Sequence, residues 1–291
     1  MLLRNSVALA LCAAFATAAA PAPPSIDWAT LPAVVDGPGG EAWLTRSPDG
    51  RMIVFGRHDE NWRNHRLYMT RLFGGRWSEP VRLPFTQEVD GRTPHFAPDG
   101  RSMLFISSRS PAGEERTGAA RESNVWRVSW DGENWGVPQM LPAPINSPGH
   151  EIDAVEVNGG VIYFSSMPAG ENAPKPDLYR AVPEGSGYRV EPLTAFNTER
   201  TESTLYVTPD ESLIVFHRAE DPVGLGRDDL FAARRSGSGW GPAVHLGAGT
   251  NSPEYEYGPE LSHDGSTLYF TTHRSGRAGI MAVNLEAAMR R

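Results

Sequence analysis

Three stretches of the chain repeat one polar spacing: Asn146-Ser147 before Glu151, Asn197-Thr198 before Glu202, and Asn251-Ser252 before Glu256. Asparagine and glutamate stand five residues apart in each, and Asp36 and Glu41 keep the same interval. The pattern breaks once, where Gly91 and Arg92 occupy the corresponding place. Carboxylates that converge raise one another's pKa and can bind a cation or a polar ligand. Carboxylates paired with arginine lock structure instead. Arginines are at hand, because Arg57 and Arg218 each lie two residues past a phenylalanine. Ion pairing is therefore the default for Glu41, Glu151, Glu202 and Glu256, since a residue needed in every repeat usually serves the repeat. The unrepeated polar residues nearby are better candidates for function: His58 and Asp59, Arg109, Asp153, His273 and Arg274, with Trp43 among them and Arg92 where the glutamate is absent. Together they predict a concave funnel of mixed charge, a form suited to binding. An oxygen-rich ring would suit calcium, but no ligand loop of known spacing accompanies it, and no cofactor is expected.

These residues are positioned by a unit that recurs along the chain. Ser47-Pro48-Asp49-Gly50 precedes an apolar run to Phe55, and Ala97-Pro98-Asp99-Gly100 precedes one to Phe105. Turns at Asn158, Asp210 and Asp264 likewise lead to Phe164, Phe216 and Phe270. Proline presets φ, aspartate bonds its own backbone, and glycine supplies positive φ, so each unit opens with a turn. The apolar run that follows reads as a strand. The terminal phenylalanine returns every 50 to 59 residues, a period that means an array of supersecondary units.

Each repeat holds four strand candidates, an inner strand A through an outer strand D. The acids fall at the start of strand A. Strand D carries Trp77, Trp135 and Trp240, whose regular place predicts packing between blades rather than a sugar-stacking surface. The fifth repeat lacks its own strand D, and Trp28 to Pro32 resembles the missing piece. The expectation is an all-β, five-bladed β-propeller of four-stranded antiparallel blades, with the last blade closed by the N-terminal strand, 26–32. Such closure hides sheet edges. The blades are placed at about 40–84, 91–142, 150–193, 200–247 and 254–285 of a single domain, 23–291.

The Pro-Asp-Gly turns and the strand ending in Phe resemble the PD40 or WD40-like repeats of the TolB type, over residues 25–285. That resemblance implies an exported bacterial propeller that binds and scaffolds more often than it catalyses. TolB itself is six-bladed with a further N-terminal domain, so its role in the Tol system is not carried over. PD40 repeats also precede hydrolase domains, but no Gly-x-Ser-x-Gly elbow is present here.

Bulk properties agree with export. Arg4, the apolar run Val7 to Phe15 and the alanine-rich Ala16 to Ala22 read as a signal peptide over 1–22, too short in its apolar part to span a bilayer. The one cysteine, Cys12, lies inside it, which leaves the mature chain without thiol chemistry. The net charge of −8 argues against a nucleic-acid surface. The predicted location is the bacterial periplasm or exterior, and the predicted state is a monomer without a transmembrane segment.

Strand alternation puts the D–A and B–C connections on one face, with the acids and the long loops 110–123, 167–176 and 219–228. The functional expectation is binding at that channel mouth, of an envelope protein, a peptide or a small polar ligand. The alternative is a glycosidase-like hydrolase drawing on the same carboxylates, which would need a pair about 5 to 9 Å apart.

Overall fold

The computed structural model describes residues 31–35, 40–59, 61, 64–113, 122–169 and 175–290. The predicted signal peptide, residues 26–30 of the predicted closing strand, Asp36, and parts of the first two long loops lie outside them.

Each Pro-Asp-Gly turn folds for the reasons its residues suggest. Gly50, Gly100 and Gly265 all have φ near +70°, the region that only glycine enters freely. Asp49 accepts from the Arg51 amide at 3.0 Å, and Asp99 and Asp264 accept two residues ahead in the same way. The strand that follows each turn pairs back antiparallel to the one before it.

Five such meanders form the molecule. Blade one comprises β1 (Gly40–Arg46), β2 (Met52–His58), β3 (Arg66–Phe73) and an outer strand in two pieces, β4 (Arg76–Trp77) and β5 (Val81–Arg82). Blade two comprises β6 (Arg92–Phe96), β7 (Ser102–Ser107), β8 (Asn124–Ser129) and β9 (Gln139–Met140). Blade three comprises β10 (Gly149–Glu156), β11 (Ile162–Pro168), β12 (Asp177–Glu184) and β13 (Gly187–Pro192). Blade four comprises β14 (Glu202–Val207), β15 (Leu213–Ala219), β16 (Asp228–Ser236) and the split outer strand β17 (Gly239–Trp240) and β18 (Val244–His245). Blade five has three strands among the described residues, β19 (Glu256–Leu261), β20 (Thr267–Thr272) and β21 (Gly279–Asn284). A short helix, α1 (Leu285–Met289), follows, capped by the Asn284 side chain.

The ring closes because the innermost strands meet in a circle: β1 packs against β6 on one side and β19 on the other. Five apolar cores lie between neighbouring blades. Phe105 and Trp126 of blade two meet Val54 and Leu67 of blade one, for example. Phe216 of blade four meets Tyr163 and Leu178 of blade three. Each fully buried phenylalanine contributes about 1.5–3 kcal/mol, so every junction holds its neighbours together. Trp135 and Trp240 pack against two of these cores as predicted, and Trp77 against a third. That third core joins blade five to blade one, where Tyr269 meets Ile53 and Phe55, and Leu31, Val34 and Val35 pack against it. The N-terminal segment thus lies on the closing seam.

Candidate functional site

The acid at the start of four of the five inner strands is buried and bonded. Glu202 accepts from the Thr198 amide at 3.1 Å, the Thr198 hydroxyl at 2.7 Å and Arg218 Nε at 2.7 Å. Arg218 lies over the Phe231 ring and donates to the Phe196 carbonyl. Glu256 accepts from the Ser252 amide and hydroxyl and the Thr272 hydroxyl, with Arg274 at 3.4 Å. Glu41 pairs with Arg57 at 3.1 Å. Among the described residues Glu151 has no arginine partner; Asn124, Ser147 and Ser166 donate to it, and burial pushes its pKa up despite them. The preceding asparagines hold the other side of each junction: Asn146, Asn197 and Asn251 each exchange two hydrogen bonds with the backbone of strand C of the blade before. The repeated Asn-to-Glu signature is therefore a stitch between blades.

Blade two keeps the stitch with different residues. Asp90, one place earlier than the gap at Gly91, accepts from the Ser108 amide at 2.8 Å and from both serine hydroxyls of Ser107 and Ser108. Arg109 fills the arginine position, over Phe105 and donating to the Phe85 carbonyl. Burial lowers its pKa to about 10, with Asp90 opposing the shift.

Just beyond the acid, every inner strand carries a β-bulge: between Ala42 and Leu44, Arg92 and His95, Glu151 and Asp153, Glu202 and Leu205, and Tyr257 and Glu260. A bulge re-aims side chains and strengthens local twist. Here the backbone reaches positive φ at Trp43 (52°), Thr93 (40°) and Gly258 (60°), conformations costly for a bulky or β-branched residue. The five bulges converge on one cavity of about 420 Å³ at the channel mouth, lined from them by Trp43, Arg92, Thr93, Ile152, Ser203, Thr204 and Tyr257. Blades four and five add His217, Asp228, Tyr255 and His273.

Trp43 fits because two neighbours lack side chains. A Cβ on Gly56 would stand 2.9 Å from its ring, and one on Gly258 2.8 Å. Gly258→Ala should therefore cost about 1–2 kcal/mol from the left-handed backbone alone and push the indole out of place, read as a lower melting temperature with altered tryptophan fluorescence. A variant that melts and fluoresces like wild type would contradict this packing.

His217 Nδ1 accepts from the Thr204 amide at 3.2 Å, so its proton sits on Nε2. That nitrogen lies 3.9 Å from Asp228. Burial holds the His217 pKa below its ordinary value and raises that of Asp228. His273 meets the Tyr257 hydroxyl at 3.1 Å, and burial lowers its pKa as well. The site thus offers neutral imidazoles, a carboxylate and three aromatic rings. A second hollow of about 470 Å³ adjoins it, sharing Arg92 and Ile152 and reaching His65 and His150.

Below the cavity a polar belt joins all five blades. Thr45 of blade one donates to Glu260 of blade five at 2.8 Å. His95 of blade two lies 2.9 Å from Glu260 and 3.0 Å from Asp153 of blade three. Asp153 in turn accepts from the Leu205 amide of blade four. Burial disfavours the imidazolium, but Asp153 and then Glu260 outweigh it and push the His95 pKa up to about 10.

No protein-family model matches the chain, and no curated protein matches it either. Solved structures do. TolB from Acinetobacter baumannii is 18% identical, with a TM-score of 0.55 over 87% of this chain and 53% of TolB, so the chain spans about half of TolB's length. A gluconolactonase from Xanthomonas campestris is 13% identical (TM-score 0.52, 88% of this chain, 76% of that one). A chain of the nidogen/laminin complex is 12% identical (TM-score 0.51, 88% and 77%). The fold is a five-bladed β-propeller, similar in architecture to TolB. At these identities the likeness is one of architecture.

On this propeller the expected funnel residues separate into groups. Arg92 and His273 line the cavity. Asp153 lies beneath it in the belt, and His58 stands beside it, bonded to the Asp59 carbonyl with its ring 5.5 Å from His65. Glu41, Arg57, Arg109, Glu151, Glu202, Arg218, Glu256 and Arg274 are absent from the cavity's lining. Burial and the donors of the preceding connection hold those glutamates in the blade junctions, and Glu41, Glu202 and Glu256 stand beside the arginines that the default reading gave such residues. Sequence reasoning missed His217, Asp228, Tyr257, His95 and Glu260. For His217 a signal existed, since it alternates with Phe216 and Arg218 and so must face blade five with Val215. Among the described residues no three His, Cys, Asp or Glu side chains are grouped to hold a metal ion, and no helix is long and apolar enough to cross a membrane.

Proposed function

We propose that this chain is an exported bacterial propeller that binds a small polar ligand at its channel mouth. The convergence of five bulges on one cavity carries this reading: the backbone is strained at Trp43 and Thr93, and strain of this kind gathers at functional sites. The cavity's volume of about 420 Å³ suits a small molecule better than a folded partner. Export is supported by the leader-like segment 1–22 and by the likeness to TolB. Binding is favoured over glycoside hydrolysis because Asp228 is the one carboxylate that lines the cavity among the described residues, whereas that chemistry needs two.

The test is a thermal-shift panel of monosaccharides, amino acids, betaines and short peptides. A true ligand at 100 times its Kd stabilises by about 2.7 kcal/mol and should raise the melting temperature of wild type but not of His217→Phe. A panel without any shift, or a shift that survives in His217→Phe, would refute the reading.

A further inference from the structure

The charges of the cavity are laid out in a way that narrows its ligand. Arg92 comes from blade two and Asp228 from blade four, so blade three stands between them around the ring. Arg92 is within 3.5 Å of Asp90, behind it, and its side chain remains 29% exposed. Asp228 is the less satisfied group. Its side chain is 22% exposed, and among the described residues the nearest basic group to its carboxylate is His217 Nε2, at 3.9 Å. The neighbouring Asp229 differs, accepting from the Leu225 and Gly226 amides. A carboxylate whose partner is this distant favours a cation in the cavity beside it.

The surroundings of Asp228 say what kind of cation. Its backbone pairs with that of Tyr255, whose ring is already covered by the Arg227 guanidinium, and Tyr257 and Trp43 line the same cavity. The rings stand at steep angles to one another: 57° between Trp43 and Tyr257, and 63° between Tyr255 and His273. Tilted aromatic walls beside a carboxylate form a box rather than a stack, and such boxes favour organic cations through the ring quadrupoles. At the other end a guanidinium favours a carboxylate.

We propose that the ligand of this cavity is a small zwitterion, its ammonium end at Asp228 beside Trp43 and Tyr257 and its carboxylate end at Arg92. This rests on the binding role proposed above. Isothermal titration of the protein with glycine betaine, tetramethylammonium, acetate and glucose tests it. Betaine should bind at least tenfold more tightly than tetramethylammonium or acetate. Asp228→Asn should weaken betaine and tetramethylammonium tenfold or more. Arg92→Gln should weaken betaine tenfold while tetramethylammonium, which has no anionic end, changes less than twofold. Circular dichroism of each variant separates lost binding from lost fold. Glucose binding without betaine binding would overturn the zwitterion and leave the binding role standing. Betaine affinity unchanged in both variants, or no affinity for betaine at all, would also overturn it.

Discussion

His95→Leu is expected to destabilise the propeller by about 3–5 kcal/mol, the cost of leaving a buried ionic partner uncompensated. Two carboxylates, Glu260 and Asp153, would lose the imidazolium between them, and the belt that links the blades would break at its middle. For a domain of this size the loss corresponds to a melting temperature lower by about 10 °C. The pH dependence identifies the cause. Folding raises the His95 pKa from 6.5 to about 10, so the native state holds a proton more tightly than the unfolded chain does. The stabilisation is complete below pH 6.5 and is lost as pH rises through about 10. Urea unfolding of wild type should show that decline, and His95→Leu should lack it. Parallel profiles for the two proteins would mean that the belt is not ionic.

Glu202→Gln should cost about 3 kcal/mol, the low end for a broken buried pair. The amide has one acceptor oxygen: placed at Oε1 it keeps Arg218 and the Thr198 hydroxyl, without the charge, and turns an NH2 group on the Thr198 backbone N–H. Arg218 retains Asp221 at 2.9 Å and the Phe196 carbonyl at 2.8 Å, which keeps the loss from being larger. Denaturant melts measure it directly. Wild-type stability in this variant would remove the stitch from the account of how blades three and four are joined.

The fold was readable because its signals are local and repeated. A turn that needs Pro, Asp and Gly, followed by a strand ending in Phe, announces each blade whatever lies around it, and the period between phenylalanines counts the blades. The Glu202–Arg218 and Glu41–Arg57 pairs were readable for the same reason, since both partners sit at fixed distances from repeated landmarks. The cavity was less visible. Its lining is set by bulges, and an extra residue breaks the two-residue alternation by which a strand's faces are read. Trp43 was singled out and Ile152 was not, although both sit in bulges. The blade-two stitch hid behind a shift of one residue, so Asp90 was passed over for Gly91 and Arg92. The belt was invisible because His95, Asp153 and Glu260 belong to three different blades and meet only once the ring closes.

The central claim is that ligands enter the bulge-lined cavity while the glutamates hold the blades together. Its most direct test is one titration series, in which a compound that binds wild type is measured against Trp43→Leu and Glu202→Gln. The expected result is a loss of at least tenfold in affinity for Trp43→Leu, with Glu202→Gln binding like wild type below its lowered melting temperature. Loss of affinity in Glu202→Gln with retention in Trp43→Leu would contradict it.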